Sequence, residues 1–417
     1  MHGPLRLPGY RGPTSTDTSP GSPRLRRRLA LALFAVAFGT NVSTPLLLAY
    51  QTGLDLSAWT VTALFAIYPV GLLPALLWSG PASDALGRRR LTLPAVGGSA
   101  LASLLFIFGA SSVGTLFAAR LVLGAVSGVA FVVITAWMQE LSEPAQRQWS
   151  ARLTGMIMYA GFGLGPLTAG ILGQWGPAPL VTPYLVHLIL LIPATAGVFL
   201  TPETVLSDSR RRIRPDLGLS SSTRGPFWRI VAPTALAVFG FASLAFSLLP
   251  VLLRPVMADV AVFVTGVVAA ITALSIFATQ TVSVRLGALR AAPIAFGSGT
   301  LGCAMGAVAF ATGWWSLLFP AAVALGAASG LAVTSGLRFV DLLAEPARRG
   351  AMTGAFYGVA YAGMTLPVVI ASLAGPSGFG TILAVLTAMA AAGTALLHRT
   401  VSASTALNEA GPGRRPG

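Results

Sequence analysis

Twelve apolar runs recur along the chain, at roughly 29–50, 58–79, 91–110, 114–138, 152–173, 180–200, 229–252, 261–282, 292–312, 316–338, 351–373 and 379–397. Each is about 20 residues long, the length at which an α-helix crosses roughly 30 Å of hydrocarbon. In lipid an open chain satisfies every backbone amide only as helix. The runs therefore predict an all-α integral membrane protein with twelve transmembrane helices. Composition agrees: 54% of residues are hydrophobic and 9% charged, whereas a soluble domain carries about 25% charged residues.

The bases fix an orientation. With the N-terminus inside, the inner connections are 80–90, 139–151, 201–228, 283–291 and 339–350. They hold Arg88, Arg89, Arg90, Arg147, Arg210, Arg211, Arg212, Arg214, Arg224, Arg285, Arg290, Arg348 and Arg349, while the outer connections hold little beyond Arg254. Such a bias places the Arg-rich side in the cytoplasm. It also explains the net charge of +15 without a nucleic-acid partner, because the bases are spread along one membrane face. Trp59, Trp78, Trp137, Trp149, Trp175, Trp228, Trp314 and Trp315 fall near span ends, as an interfacial belt requires. Residues 1–28 read as a disordered cytoplasmic tail and 398–417 as a second cytoplasmic tail. Residues 201–228, Arg- and Ser-rich, read as a cytoplasmic loop between a six-helix bundle at 29–200 and another at 229–397. The lone Cys303 offers neither an intrachain disulfide nor a metal-ligand set, and no cofactor is expected. Nor do the spans carry a Ser/His pair, paired aspartates or a ligand cluster that would suggest an enzyme.

The halves repeat. Glu143-Pro144-Ala145 returns as Glu345-Pro346-Ala347, Tyr159-Ala160-Gly161 as Tyr361-Ala362-Gly363, and the Gly124/Gly128 pair as Gly326/Gly330, all at one offset of 202 residues (345 against 143). Leu86-Gly87 has a faded counterpart in Leu286-Gly287, where Val284 replaces the acid Asp84. A duplicated six-helix unit is what a two-lobed alternating-access carrier needs.

Three stretches carry a resemblance. Gly80-Pro-Ala-Ser-Asp84-Ala-Leu-Gly87-Arg88-Arg89-Arg90 lies between the second and third spans. It resembles the signature loop of the major facilitator superfamily, Gly-x-x-x-Asp-Arg-x-Gly-Arg-Arg, with Ala85 where the family has Arg. The spacing Arg120-x-x-x-Gly124-x-x-x-Gly128 resembles the superfamily's fourth-helix motif, with Leu123 where Gln is common. Gly161-x-x-x-Gly165-Pro166-x-x-x-Gly170 resembles the fifth-helix motif of the exporting branch, and the Pro202-Glu203-Thr204 triplet often follows the sixth helix in this superfamily. Of the superfamily's branches, these motifs come closest to the twelve-helix drug:proton antiporters.

The resemblance implies a fold of two pseudo-symmetric six-helix bundles, a monomer in the inner (plasma) membrane, and a small-molecule substrate. It implies gating by Gly80, Asp84, Gly87, Arg88 and Arg89, with Asp84 accepting hydrogen bonds from the loop arginines and from a helix N-terminus. Arg120, Asn41, Tyr159, Gln280 and Tyr361 are expected to serve coupling or substrate, with Tyr68, Tyr357, Ser43, Thr44, Thr135, Phe239, Phe241 and Ser247 as further cavity candidates. Gly124, Gly128, Gly161, Gly165 and Pro166 are expected to let helices approach closely. Export of small hydrophobic or drug-like molecules in exchange for protons is the function implied. Against the proton, no Asp or Glu falls mid-span in the sequence reading. His187 could titrate, but a lone membrane histidine is more often a packed polar residue. The alternative is uptake or facilitated exchange of a small nutrient without proton coupling.

Overall fold

A computed structural model of the chain describes residues 22–205, 221–345, 348–374 and 378–409. In the first half, α1 is Pro23–Gly53, α2 Ala58–Leu86, α3 Arg88–Phe108, α4 Val113–Glu140, α5 Arg147–Trp175 and α6 Thr182–Phe199. In the second, α7 runs over residues 221–257 with two π-helical turns, Phe227–Val231 and Leu244–Leu248. It is followed by α8 Ala261–Leu286, α9 Ala288–Thr312, α10 Leu318–Leu343, α11 Arg349–Ala374 (interrupted by a 3₁₀ turn at Gly363–Thr365) and α12 Phe379–Glu409. Each predicted apolar run falls on one of these helices. Among the described residues, ten helical stretches are long and apolar enough to cross a membrane. One of them, Thr223–Ser283, spans both α7 and α8, and the apolar part of α12 forms a shorter stretch, Phe379–Ala395.

Three boundaries differ from the sequence reading. The expected tail 1–28 is already helix from Pro23, with proline in the first turn where its missing N–H costs nothing; residues 1–21 lie outside the described residues. The expected loop 201–228 is helical from Ser221, and its arginines at 210–214 lie outside the described residues. The expected tail 398–417 is helix to Glu409, with 410–417 outside.

The signature stretch differs most. Residues 80–90 are not an extended turn: α2 continues through Leu86, α3 begins at Arg88, and Gly87 alone makes the corner at φ 104°. Its counterpart Gly287 makes the α8–α9 corner at φ 73°. Both conformations suit a residue without Cβ. The second loop has lost its acid but keeps its Leu-Gly for this backbone reason.

Packing follows the small residues. A Cβ on Gly124 would collide with the Tyr68 carbonyl oxygen, and one on Gly128 would fall 2.7 Å from that of Leu72, so α4 lies backbone to backbone on α2. The repeat reproduces this: Gly326 meets the Thr272 carbonyl and Gly330 that of Ile276, laying α10 on α8. Gly161 and Gly165 seat α5 on Ala37 and Phe38 of α1, as Gly363 seats α11 on Leu236 of α7. Between halves, Gly170 of α5 faces Gly266 of α8.

On the far face, opposite the Arg-rich one, polar contacts tie the halves together. Trp59 Nε1 donates to Ser372 Oγ at 2.9 Å. Gln174 donates to the Asp259 carbonyl and accepts from the Phe263 N–H at 3.2 Å. Arg254 donates to Thr52. On the Arg-rich face the described ion pairs each stay within one half.

The packing makes a prediction. Gly124→Val should force α4 off α2 and cost about 3 kcal/mol. Gly155→Ala, in mid-helix with open space around the new methyl, should hold or slightly raise stability, by up to about 1 kcal/mol. Denaturant unfolding of the two variants in detergent checks both.

Candidate functional site

At the Arg-rich face, one carboxylate network surrounds the Gly87 corner. Arg88 pairs with Asp84 at 2.6 Å, one helical turn back across the corner, and with Glu140 of α4 at 2.7 Å. It also donates to Ser83. Glu203, from the Pro-Glu-Thr triplet after α6, accepts from the N–H groups of Arg88 at 2.8 Å and Arg89 at 2.9 Å. A carboxylate there satisfies two of the orphan donors of α3 and complements its dipole. The expected arginine contact of Asp84 is present, but the α3 N-terminus is taken by Glu203. The triplet was the available signal; its spatial partner, 115 positions away, was not legible. Trp137 Nε1 donates to the Pro202 carbonyl at 3.2 Å and holds the triplet against α4. Arg89 reaches the Phe199 carbonyl at 3.3 Å. Gly80 faces Val132 of α4 in ordinary contact.

Within the spanning helices, toward the Arg-rich face, the halves meet at neutral groups. Gln280 Nε2 of α8 donates to Tyr159 Oη of α5 at 2.6 Å. Tyr159 packs against Phe277, with centroids 6.2 Å apart. Tyr361 of α11 stacks on Phe239 of α7 at 4.4 Å. It lies near Tyr68, Tyr357 and Tyr159. The structure thus brings together Tyr159, Gln280 and Tyr361 from the expected set, with Tyr68 and Tyr357. Asn41 is partly exposed at the middle of α1, and Pro45, one turn on, withholds the N–H that its carbonyl would accept.

Arg120 lies beside Tyr68 at the edge of this cluster. It is 1% exposed, its guanidinium lies 5.4 Å from the Phe65 ring centroid, and its Nε and Nη2 have no hydrogen-bond partner. Its electrostatic neighbours are Tyr184 and Tyr68. Among the described residues no carboxylate pairs with it. A cation–π contact and surrounding phenols hold the charge. His187 is buried between α1, α3 and α6: its Nδ1 is 2.7 Å from Ser103 Oγ, and its ring lies against Phe38 and over Gly39. It packs inside one half, away from the seam. The α5 motif serves two interfaces, since Gly161 and Gly165 touch α1 while Pro166 and Gly170 touch α8.

Every described acid sits at a helix end or in a connection: Asp55, Asp84, Glu140, Glu143, Glu203, Asp259, Asp341, Glu345 and Glu409. Asp17, Asp208 and Asp216 lie outside the described residues. No group of His, Cys, Asp and Glu among the described residues could hold a metal ion.

Two bundles of six helices, related by an internal repeat and meeting at a buried polar seam, define a multi-pass membrane transporter. The chain belongs to the major facilitator superfamily, whose sequence model matches residues 29–366. Among solved structures, the nucleoside transporter NupG is similar at a TM-score of 0.65 and 14% identity, covering 90% of this chain and 98% of NupG. A point mutant of NupG is similar at 0.63 and 15%, covering 90% and 99%. At this identity the likeness concerns the fold. No curated protein sequence matches the chain.

The network at Gly87 makes two predictions. Glu203→Ala should lower the melting temperature by a few degrees, about 1 kcal/mol for a lost cap. Asp84→Asn should lower the melting temperature only modestly, since Glu140 still pairs with the buried Arg88, but slow transport into vesicles several-fold.

Proposed function

We propose that this protein moves a small, uncharged, ring-bearing polar solute between its two halves by alternating access, without a proton-carrying carboxylate at the centre. One observation carries this reading: tyrosines, a glutamine and phenylalanines from both halves converge between the membrane-spanning helices, while every described acid sits at a helix end or in a connection. Aromatic faces suit a flat ring, and the Tyr159–Gln280 pair offers hydrogen bonds from both lobes. A phosphate or dicarboxylate would need several buried bases, and Arg120 is shielded by Phe65. Nucleosides, the solutes named for the similar NupG structures, belong to the chemical class that such a site accepts. This favours uptake or facilitated exchange of a nutrient. We place the protein in the plasma (inner) membrane as a monomer, both termini cytoplasmic, with Asp84, Arg88, Arg89 and the Gly80–Gly87 corner acting as the inner gate.

A second reading, export of small hydrophobic molecules in exchange for protons, is supported by the α5 motif. Its glycines and proline bind α5 to both α1 and α8 and so place it at the moving seam. The two readings separate on pH. In proteoliposomes, addition of a transported neutral solute is expected to leave internal pH unchanged; a solute-dependent pH change would favour antiport. Tyr159→Phe and Gln280→Leu are each expected to weaken solute binding about fivefold, the effect of one hydrogen bond. Isothermal titration of the purified variants with a panel of nucleosides and other neutral ring compounds measures it.

A further inference from the structure

Beyond the tyrosine cluster, toward the far face, a small cavity lies between the halves. Its walls include Thr44 of α1, Phe65 of α2, Phe246 and Ser247 of α7, and Thr265 of α8. It has room for about one water-sized group. Phe65 and Phe246 close one side edge to face across the halves, centroids 5.5 Å apart.

Thr44 is the anomaly. Most of the described helical threonines fold their hydroxyls back on the preceding turn. Thr40 does so to Val36 at 2.9 Å, Thr52 to Leu48 at 3.1 Å, and Thr265 to Ala261 at 2.7 Å. Thr44, between the first two on the same helix, is 3% exposed, and its Oγ1 has no partner. A buried hydroxyl without a partner is destabilising, whereas valine would fill the same space at no such cost. The adjoining Pro45 leaves the Asn41 carbonyl without its intrahelical donor, so hydrogen-bonding capacity is concentrated on one turn of α1. The opposite wall is aromatic and uncharged.

We propose that this cavity is a second solute subsite, on the path between the tyrosine cluster and the far face. It takes a hydroxyl group at the edge of a neutral ring, and Thr44 Oγ1 is its hydrogen-bonding group. The inference rests on the transport reading above, because a solute reaches the cavity only between the halves. Both halves contribute walls, so the subsite forms and opens as they rock.

The test compares wild type with Thr44→Val, Thr44→Ser and Thr44→Cys, using uridine and 2′,3′-dideoxyuridine as probes. Without solute, Thr44→Val is expected to melt above wild type, since it buries no unpaired hydroxyl. It is expected to transport uridine about fivefold more slowly and to lose the preference for uridine over the dideoxy compound, while Thr44→Ser keeps both. Thr44→Cys is expected to react with a small water-soluble thiol reagent; the native Cys303 is buried. A Thr44→Val that melts lower than wild type would mark the hydroxyl as structural and overturn the proposal, as would an inert Thr44→Cys or a Thr44→Val with wild-type uridine transport. If wild type ignores both probes while Thr44→Cys reacts and Thr44→Val melts higher, the nucleoside-like reading of the centre fails and the subsite on the path stands.

Discussion

Where two helix backbones touch, no side chain can come between them, and in lipid that contact replaces the hydrophobic drive that holds soluble proteins together. Here it occurs at repeated positions. Gly124 and Gly128 press α4 onto α2, and Gly326 and Gly330 press α10 onto α8. Gly161 and Gly165 bind α5 to α1, and Gly363 binds α11 to α7. Each half is thereby a rigid body, since a glycine groove tolerates little sliding before carbonyl meets Cα.

The seam between the halves is mixed. Pro166 and Gly170 of α5 lie backbone to backbone against Gly266 of α8, and beside that contact stand single hydrogen bonds, Tyr159 to Gln280 and, on the far face, Trp59 to Ser372. Each such bond is worth about 1 kcal/mol net, so these polar contacts can break and re-form around the α5–α8 contact. The charged groups are placed to match. The Asp84–Arg88–Glu140 pairs and the Glu203 cap lie in one half at the Arg-rich face, where water keeps their burial inexpensive. Among the described residues the centre is neutral, and the nearby Arg120 lies against the Phe65 ring.

Much of this was legible in the sequence because lipid imposes long-period signals. The twelve runs located the helices, and the 202-residue offset (345 against 143) paired the two halves. It correctly paired Gly124 with Gly326 as packing positions. Charge patterning was less informative about local structure. Asp84 and Arg88 to Arg90 read as a polar turn, yet they are helical on either side of Gly87, because a helix can run past the hydrocarbon into the headgroup layer without changing its hydrogen bonding. The arginines before residue 29 joined α1 for the same reason. Glu203 as the cap of α3, and Tyr159 with Gln280 as a cross-lobe pair, were beyond reach. Contacts made by one side chain over more than a hundred positions leave no periodic trace.

Transport by alternating access requires the two halves to move as bodies about the seam between them. Distance measurement between spin labels tests it directly, on Thr52→Cys with Arg254→Cys across the far face and on Thr52→Cys with Ser111→Cys, between α1 and the α3–α4 connection, inside the first half, each in a background with Cys303 replaced by Ser. During transport in proteoliposomes, the far-face pair is expected to show a second, longer distance while the pair inside one half stays fixed. A far-face distance that remains single and short under all transport conditions, or a within-half distance that changes, would contradict the account.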